Sequence, residues 1–205
     1  MIIKARLSEM ADSEIAAMVD ASRLADIKAR DPHPLIKAFV VGHEGESRGN
    51  LIGVGNVVKR WFRTMIHKLH EKVAAGLQLF HGHAAGTNAH EGRVSLGEVV
   101  GKSLKEIDGR ESVVVACYIY PDFKHLPLDV ASVETDVLLE ETNDRTKLDI
   151  VDIGAVTGIA LGNSAVDKPG FPGATLLGQL QAFERQQTIG YEAGLKLGYR
   201  LNKHS

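Results

Sequence analysis

Three histidines stand close together in the segment FHGHAAGTNAH, namely His81, His83 and His90. An imidazole can ligate a metal ion or move a proton near neutral pH, so the cluster predicts either a metal site or a catalytic base. If LQLFHGH is a strand, its two-residue period places His81 and His83 on the same face. A Gly/Ala/Asn-rich loop follows, which is typical of a site at a strand end.

Zinc is the metal that such a cluster suggests first. A zinc site needs three or four N, S or O ligands, and His81, His83 and His90 supply three. No cysteine pair or HExxH-type pattern accompanies them, and an H-x-H pair alone has low specificity. A metal-dependent hydrolase that uses these histidines therefore stands as an alternative, and the preferred hypothesis includes no metal ion or other cofactor.

Acyl transfer is the second chemistry that the residue types allow. It needs a serine nucleophile, a histidine that accepts its proton, and a third group that holds the histidine's tautomer. The segment LPLDVASVETDVLL places Ser132 in mid-strand, on the more polar face. A later segment, KLDIVDIGAVTGIALG, carries Asp149 and Asp152 in an apolar run, where a buried carboxylate needs a partner. An ordinary strand serine and a salt bridge to Lys147 or Arg145 are the structural alternatives.

The overall composition predicts one globular domain that spans residues 1–205. The chain is 44% hydrophobic and 24% charged, and its 205 residues are enough to bury a core without disulfides. A formal net charge of −2 disfavours a nucleic-acid binder, and no apolar run is long enough for a membrane span. The single cysteine, Cys117, lies in the apolar run SVVVACYIY and is expected to be a small core residue.

The pattern of apolar residues predicts two helices before a block of strands. One helix is expected over residues 12–30, behind a cap at Asp12 or Ser13, and a second over residues 56–74. LIKAFVVGHEG, between them, reads as a strand. After Gly76 the period changes to two, which predicts successive and mostly antiparallel strands, including 93–104, 112–120, 129–139 and 147–157.

The fold class expected from this order is α+β, with a mostly antiparallel, β-barrel-like core flanked by helices. DKPGFPGA reads as a rigid turn near the end of the strand block. A third helix, TLLGQLQAFERQQ, is predicted after it, and a C-terminal tail from about residue 188.

The order of these segments resembles the prohead maturation proteases of tailed bacteriophages, which are related in fold to the herpesvirus assemblins. FHGH with SLGEVVG matches the family's histidine-ending strand and the strand after it. DVASVETDVLL matches its serine strand, and LDIVDIGAVTGIALG matches its acid-containing strand. The resemblance covers residues 35–175 and implies an assemblin-like fold.

Carried over residue by residue, the resemblance implies that Ser132 is the nucleophile. The histidine that closes the first strand should be the general base. His83 is preferred because it borders the loop, with His81 as the alternate and His90 a more distant choice. The glycine-rich segment IGAVTGIALG is expected to contribute backbone N–H groups to the oxyanion site.

The third member of the site is an acid in this comparison. The resemblance places Asp152 at that position and leaves Asp149 as its rival. In the assemblins the third member is a histidine, whereas no histidine follows Ser132 here before His204. The acid assignment is thus the point at which this chain departs from the assemblin pattern.

The function implied is that of a serine endopeptidase that acts during phage prohead maturation. Its substrates would be the scaffold protein, the major capsid protein and the chain itself, inside assembling proheads in the host cytoplasm. Self-association is an expected interaction, whereas nucleic acid and membranes are not. The alternatives are a non-enzymatic β-barrel module associated with the virion or scaffold, and the metal-dependent hydrolase described above.

Overall fold

Strands dominate the part of the chain that the computed structural model describes, which comprises residues 10–51, 55–83, 92–144 and 146–180. Three α-helices and nine strands occur in these residues. In chain order they are α1 Asp12–Met18, α2 Ala21–Arg30, β1 Leu35–His43, β2 Gly45–Leu51, β3 Gly55–Trp61, α3 Arg63–Lys72, β4 Gln78–His81, β5 Ser95–Ile107, β6 Arg110–Ile119, β7 Val130–Glu141, β8 Lys147–Gly162 and β9 Leu176–Leu180.

All nine strands belong to one sheet, which curls into a half-barrel. Its order is β2-β3-β8-β4-β5-β6-β1-β9, and β7 pairs with β8 outside this path. The pairs are antiparallel except β3–β8 and β4–β8. Helix α3 connects β3 to β4 as a crossover, which lets both strands run in the same direction along one edge of β8. Both are parallel to β8. The expected α+β class with a barrel-like, mostly antiparallel core is confirmed.

Two hydrophobic cores lie on opposite sides of the sheet. The inner core fills the half-barrel and includes Phe39, Val115 and Cys117, whereas the outer core lies between the sheet and the first two helices and includes Val114 and Tyr118. Strand β6 is buried on both faces, which explains its continuous apolar sequence. Cys117 is fully buried, as expected, and burial raises the pKa of its thiol.

The predicted helix over residues 56–74 is wrong in its first half. Residues up to Trp61 form β3, and α3 begins only at Arg63, after the extended Phe62. Strand β3 pairs along its whole length with β2, and the Trp61 indole N–H donates to Ser47 Oγ at 2.8 Å. This tertiary pairing overrides an apolar spacing that also fits a helix.

The predicted helix over residues 12–30 is instead two helices. The break is at Val19, which forms an isolated bridge with Gly101, and at Asp20, whose carboxylate accepts from the N–H of Ser22 at 2.9 Å and caps α2. The first helix follows Ala11, so the predicted cap at Asp12 or Ser13 is also wrong. A Cβ at position 101 would lie 2.1 Å from a carbonyl oxygen of α1, so glycine permits this close approach.

The helix predicted after the PGFPGA turn is a strand where the structure describes it. Leu176–Leu180 form β9, which pairs antiparallel with β1 and covers its outer edge. A side chain at Gly178 would collide with the Met10 carbonyl oxygen, 2.7 Å away, so the edge strand packs tightly against the chain before α1. The remainder of the predicted helix and the tail from residue 188 lie outside the described residues.

Lys102 on β5 closes the C-terminal end of α3. Its ammonium donates to the carbonyl oxygens of His70 at 2.6 Å, Val73 at 2.7 Å and Glu71 at 3.2 Å. The last carbonyls of a helix have no partner within the helix, and a cation there also complements the helix dipole. Lys102 thereby attaches the crossover helix to the sheet.

We expect Lys102→Met to lower the free energy of unfolding by about 1–3 kcal/mol, because partly buried carbonyls lose a charged donor. Urea unfolding measures the change. Lys105→Met is the matched control on the same strand, since Lys105 only pairs with the exposed Glu14 and its loss should matter little. Equal destabilisation by the two substitutions would contradict the capping role of Lys102.

Candidate functional site

Ser132 lies on the outer face of β7, opposite the side chains that enter the inner core. Ala131 and Val133 on either side belong to or pack against that core. Ser132 pairs with Ala160 of β8 and is only 8% exposed. Among the described residues, none forms a hydrogen bond with its hydroxyl. Ser132 lines a pocket, so its hydroxyl can be reached by a partner that comes from outside.

His83 reaches the same place from β4. This strand pairs parallel with β8 up to His81 and Leu161, and Gly82 then turns the chain with a φ of +65° while its N–H donates to the Leu161 carbonyl at 2.9 Å. Since β7 and β4 occupy opposite edges of β8 at this level, Ser132 and His83 line one pocket of about 70 Å³. The two residues expected as nucleophile and base are brought together.

The imidazole and the hydroxyl do not form a hydrogen bond in this structure. His83 is about half exposed and its Nδ1 lies 3.4 Å from Oε1 of Glu134. Glu134 follows Ser132 by two positions on the same face of β7, and its side chain is only 8% exposed. A carboxylate beside one ring nitrogen holds the ring in the tautomer that leaves the other nitrogen able to accept a proton.

Arg93 holds Glu134 in place. Its Nη1 donates to both carboxylate oxygens, at 2.9 and 3.0 Å, and its Nη2 donates to the carbonyl of Gly82. The guanidinium stacks over the Phe80 ring, 4.1 Å from the centroid. One cation thus connects the acid on β7 to the turn that carries His83.

Asp152, the preferred third member, does not reach this pocket. It pairs in register with Leu138, eight positions along β8 from the partner of Ser132 (152 to 160). That offset corresponds to roughly 25 Å along a strand. Its carboxylate instead pairs with Lys68, whose hydrogen bond lowers the pKa of Asp152. The structure therefore does not bring Asp152 to the pocket of Ser132 and His83.

Asp149 lies still farther along β8 and is also not a member. It is opposite Glu140 and forms a two-bond ion pair with Arg60, in which Nη2 donates to Oδ2 at 2.7 Å. Both acids have a salt-bridge partner of the kind that a strand carboxylate needs. Of the two partners expected from the sequence, Arg145 lies outside the described residues. Lys147 pairs with Glu46 instead.

The other two histidines of the cluster, His81 and His90, give no further evidence for the site. His81 is exposed at the end of β4 and does not line the pocket of Ser132, while His90 lies outside the described residues. Within the described part of the chain, no group of three His, Cys, Asp or Glu side chains is arranged to hold a metal ion. The three-histidine metal site therefore stays a hypothesis.

Neither Glu134 nor Arg93 was predicted from the sequence to belong to the site. The signal for Glu134 was available, because the two-residue period puts it on the face of Ser132. Arg93 had no such signal, since it meets Glu134 across 41 positions of sequence through tertiary contacts alone. From the glycine-rich segment expected near the oxyanion site, Ala160, Leu161 and Gly162 line the pocket.

A strap formed by residues 163–174 makes the remaining wall of the pocket. It leaves β8, crosses beside Ser132 and returns to the sheet before β9. The carbonyl of Gly170 accepts from the Arg48 N–H at 2.7 Å, and Phe171 is buried with its ring centroid 4.9 Å from that of Trp61. A Cβ added at Gly170 would lie 3.2 Å from Ser132 Oγ, so the strap passes close beside the hydroxyl.

We expect Gly170→Ala to lower the free energy of unfolding by about 1–3 kcal/mol, because the added methyl overpacks the space between Ser132 and the Arg48 carbonyl. Urea unfolding tests this. Gly154→Ala on β8 is the control, since its Cβ would lie 3.5 Å from Asp136 Cβ, an ordinary contact. If both variants are as stable as the unsubstituted chain, the strap is not packed against Ser132 as described.

Comparisons with known proteins do not assign the chain to a family. No family model, curated protein or solved structure matches the chain. Among the described residues there is also no helix long and apolar enough to cross a membrane. The pocket of Ser132 and His83 and the resemblance of the sequence motifs are therefore the evidence for a function.

Proposed function

We propose that the chain is a serine endopeptidase in which Ser132 is the nucleophile, His83 the general base and Glu134 the acid that orients His83. The observation that carries this proposal is that Ser132 and His83, which are distant in sequence, line one small pocket. Two further features support it. The Ser132 hydroxyl has no competing partner among the described residues, and a carboxylate lies beside the imidazole.

In the proposed reaction, Ser132 Oγ attacks the carbonyl carbon of a peptide bond while His83 accepts the hydroxyl proton through Nε2. Glu134 stabilises the imidazolium through Nδ1. The tetrahedral intermediate collapses when His83 returns the proton to the leaving amine, which breaks the C–N bond. A water molecule then attacks the acyl-enzyme by the same route and regenerates the Ser132 hydroxyl.

The rotation of an exposed side chain completes this arrangement. His83 is about half exposed, so its ring can turn toward Ser132 without disturbing the core. Serine–histidine distances are often long without substrate and shorten in the Michaelis complex. Arg93 keeps the Glu134 carboxylate in one orientation during that movement, because both carboxylate oxygens accept from the same guanidinium nitrogen.

The resemblance to prohead maturation proteases extends the proposal to substrates and place. We propose that residues 1–205 form a single, assemblin-like protease domain that cleaves scaffold and major capsid proteins, and itself, in proheads assembling in the host cytoplasm. Self-association inside the shell fits that setting.

Ser132→Ala tests the function most directly. We expect the unsubstituted chain, co-expressed with the scaffold and major capsid proteins of the same phage, to convert them to shorter products, and Ser132→Ala to leave them intact. A fluorophosphonate probe should label the unsubstituted chain at Ser132 only. Cleavage that persists in Ser132→Ala but stops on chelation would favour the metal-dependent hydrolase, and no cleavage or labelling at all would favour the non-enzymatic module.

The identity of the acid has its own test. We expect Glu134→Gln to slow fluorophosphonate labelling by about 10²–10⁴-fold, since loss of the orienting acid of such a site has an effect of that order. Asp152→Asn should label at the unsubstituted rate, because its partner is Lys68. The reverse result, slow labelling in Asp152→Asn alone, would contradict the role given to Glu134.

A further inference from the structure

His43, the last residue of β1, is buried with both ring nitrogens facing carbonyl oxygens. Nδ1 lies 2.6 Å from the carbonyl oxygen of Glu44, and Nε2 lies 2.8 Å from that of Pro172 in the strap. The residue is 5% exposed. Its ring also meets the Phe171 ring edge-on, with centroids 5.2 Å apart.

The two carbonyls determine which form of the imidazole fits. A carbonyl oxygen can only accept, so each ring nitrogen must donate to make both hydrogen bonds. A neutral imidazole carries one N–H and would place the lone pair of its other nitrogen against an oxygen. Only the doubly protonated ring satisfies both contacts, and a charged donor makes each of them stronger.

We infer that His43, as an imidazolium, is a positioning residue for Ser132, and that it acts by holding the strap against the pocket. This inference rests on the proposed function. The connection is short, because Pro172 is two residues from Gly170, where an added Cβ would lie 3.2 Å from Ser132 Oγ. Phe171 between them is buried against the His43 ring. Movement of Pro172 therefore moves the wall of the pocket.

Charged groups lie around His43 on several neighbouring elements. Asp108 and Arg110, at the turn between β5 and β6, line a cavity of about 170 Å³ together with His43, Pro172 and Gly173. Two carboxylates lie nearby and are shared with other partners. These are Glu44, which accepts from the Glu111 N–H at 3.3 Å, and Glu111, which pairs with His67 and Arg63 of α3. The strap itself contributes no charge to this cavity.

The direction of the pH effect follows from linkage. The protonated ring can donate to both carbonyls, whereas the neutral ring can donate to only one, so loss of the ring proton removes one of the two hydrogen bonds. His83 has the opposite requirement, since a general base must be neutral to accept a proton. The reactivity of Ser132 should therefore rise with pH and then fall.

The protonation state of His43 can be measured independently of any enzymatic activity. In the full chain with ¹⁵N-labelled histidine, NMR at pH 7 should show His43 with protons on both ring nitrogens. A single protonated nitrogen would overturn the inference. The signal can be assigned by its loss in His43→Gln. This measurement stands even if the chain proves not to be a protease.

The positioning role is tested by the pH profile of fluorophosphonate labelling at Ser132. We expect His43→Gln to label about tenfold more slowly and to lose the fall at high pH while keeping the rise. His67→Gln is the matched control, because His67 is an exposed histidine whose partner is Glu111. In this variant the labelling rate should still rise and then fall with pH. Labelling of the unsubstituted chain with an unchanged profile in His43→Gln would overturn the inference, whereas no labelling of the unsubstituted chain would refute the proposed function.

Discussion

The pairing of both edges of β8 is the constraint on which the site depends. Strand β7 runs antiparallel along one edge and places Ser132 opposite Ala160, while β4 runs parallel along the other edge and places His81 opposite Leu161. Adjacent strands are separated by about 4.8 Å, so residues at the same level on β4 and β7 lie two strand spacings apart across β8. The side chains that meet above β8 are thus set by two registers, and a slip in either would separate them.

The sequence predicted the parts of this arrangement that local periodicity controls. Two-residue alternation identified β5, β7, β8 and the polar face of Ser132, because one face of each of these strands packs on a core. The continuous apolar run of β6 indicated a strand as well, one that is buried on both faces. Local periodicity failed at residues 56–61, where the spacing of Val58 and Trp61 suits a helix as well as a strand. Asp152 was assigned to the site by the resemblance, and neither a motif match nor alternation says at which level a residue lies along the neighbouring strand.

Glu134 shows how the energetic cost of burying a charged side chain is offset by a paired cation. Glu134 is almost fully buried, and an unpaired carboxylate at such a position would be very costly. Arg93 compensates it with two hydrogen bonds and is itself covered by the Phe80 ring. Because Arg93 also bonds the Gly82 carbonyl, the same cation that neutralises the acid positions the turn before His83. Charge balance and geometry are therefore supplied by a single side chain.

The position of the strap in the sequence has a consequence for synthesis on the ribosome. Ser132 and the histidine strand emerge well before β8, and the strap emerges after it. A nascent chain can therefore fold its early strands while the pocket still lacks one wall, and long-range strand pairing is slow compared with local folding. The hydroxyl acquires its finished surroundings only when nearly the whole half-barrel has left the exit tunnel. This order of emergence makes the wall beside Ser132 the last part of the pocket to form.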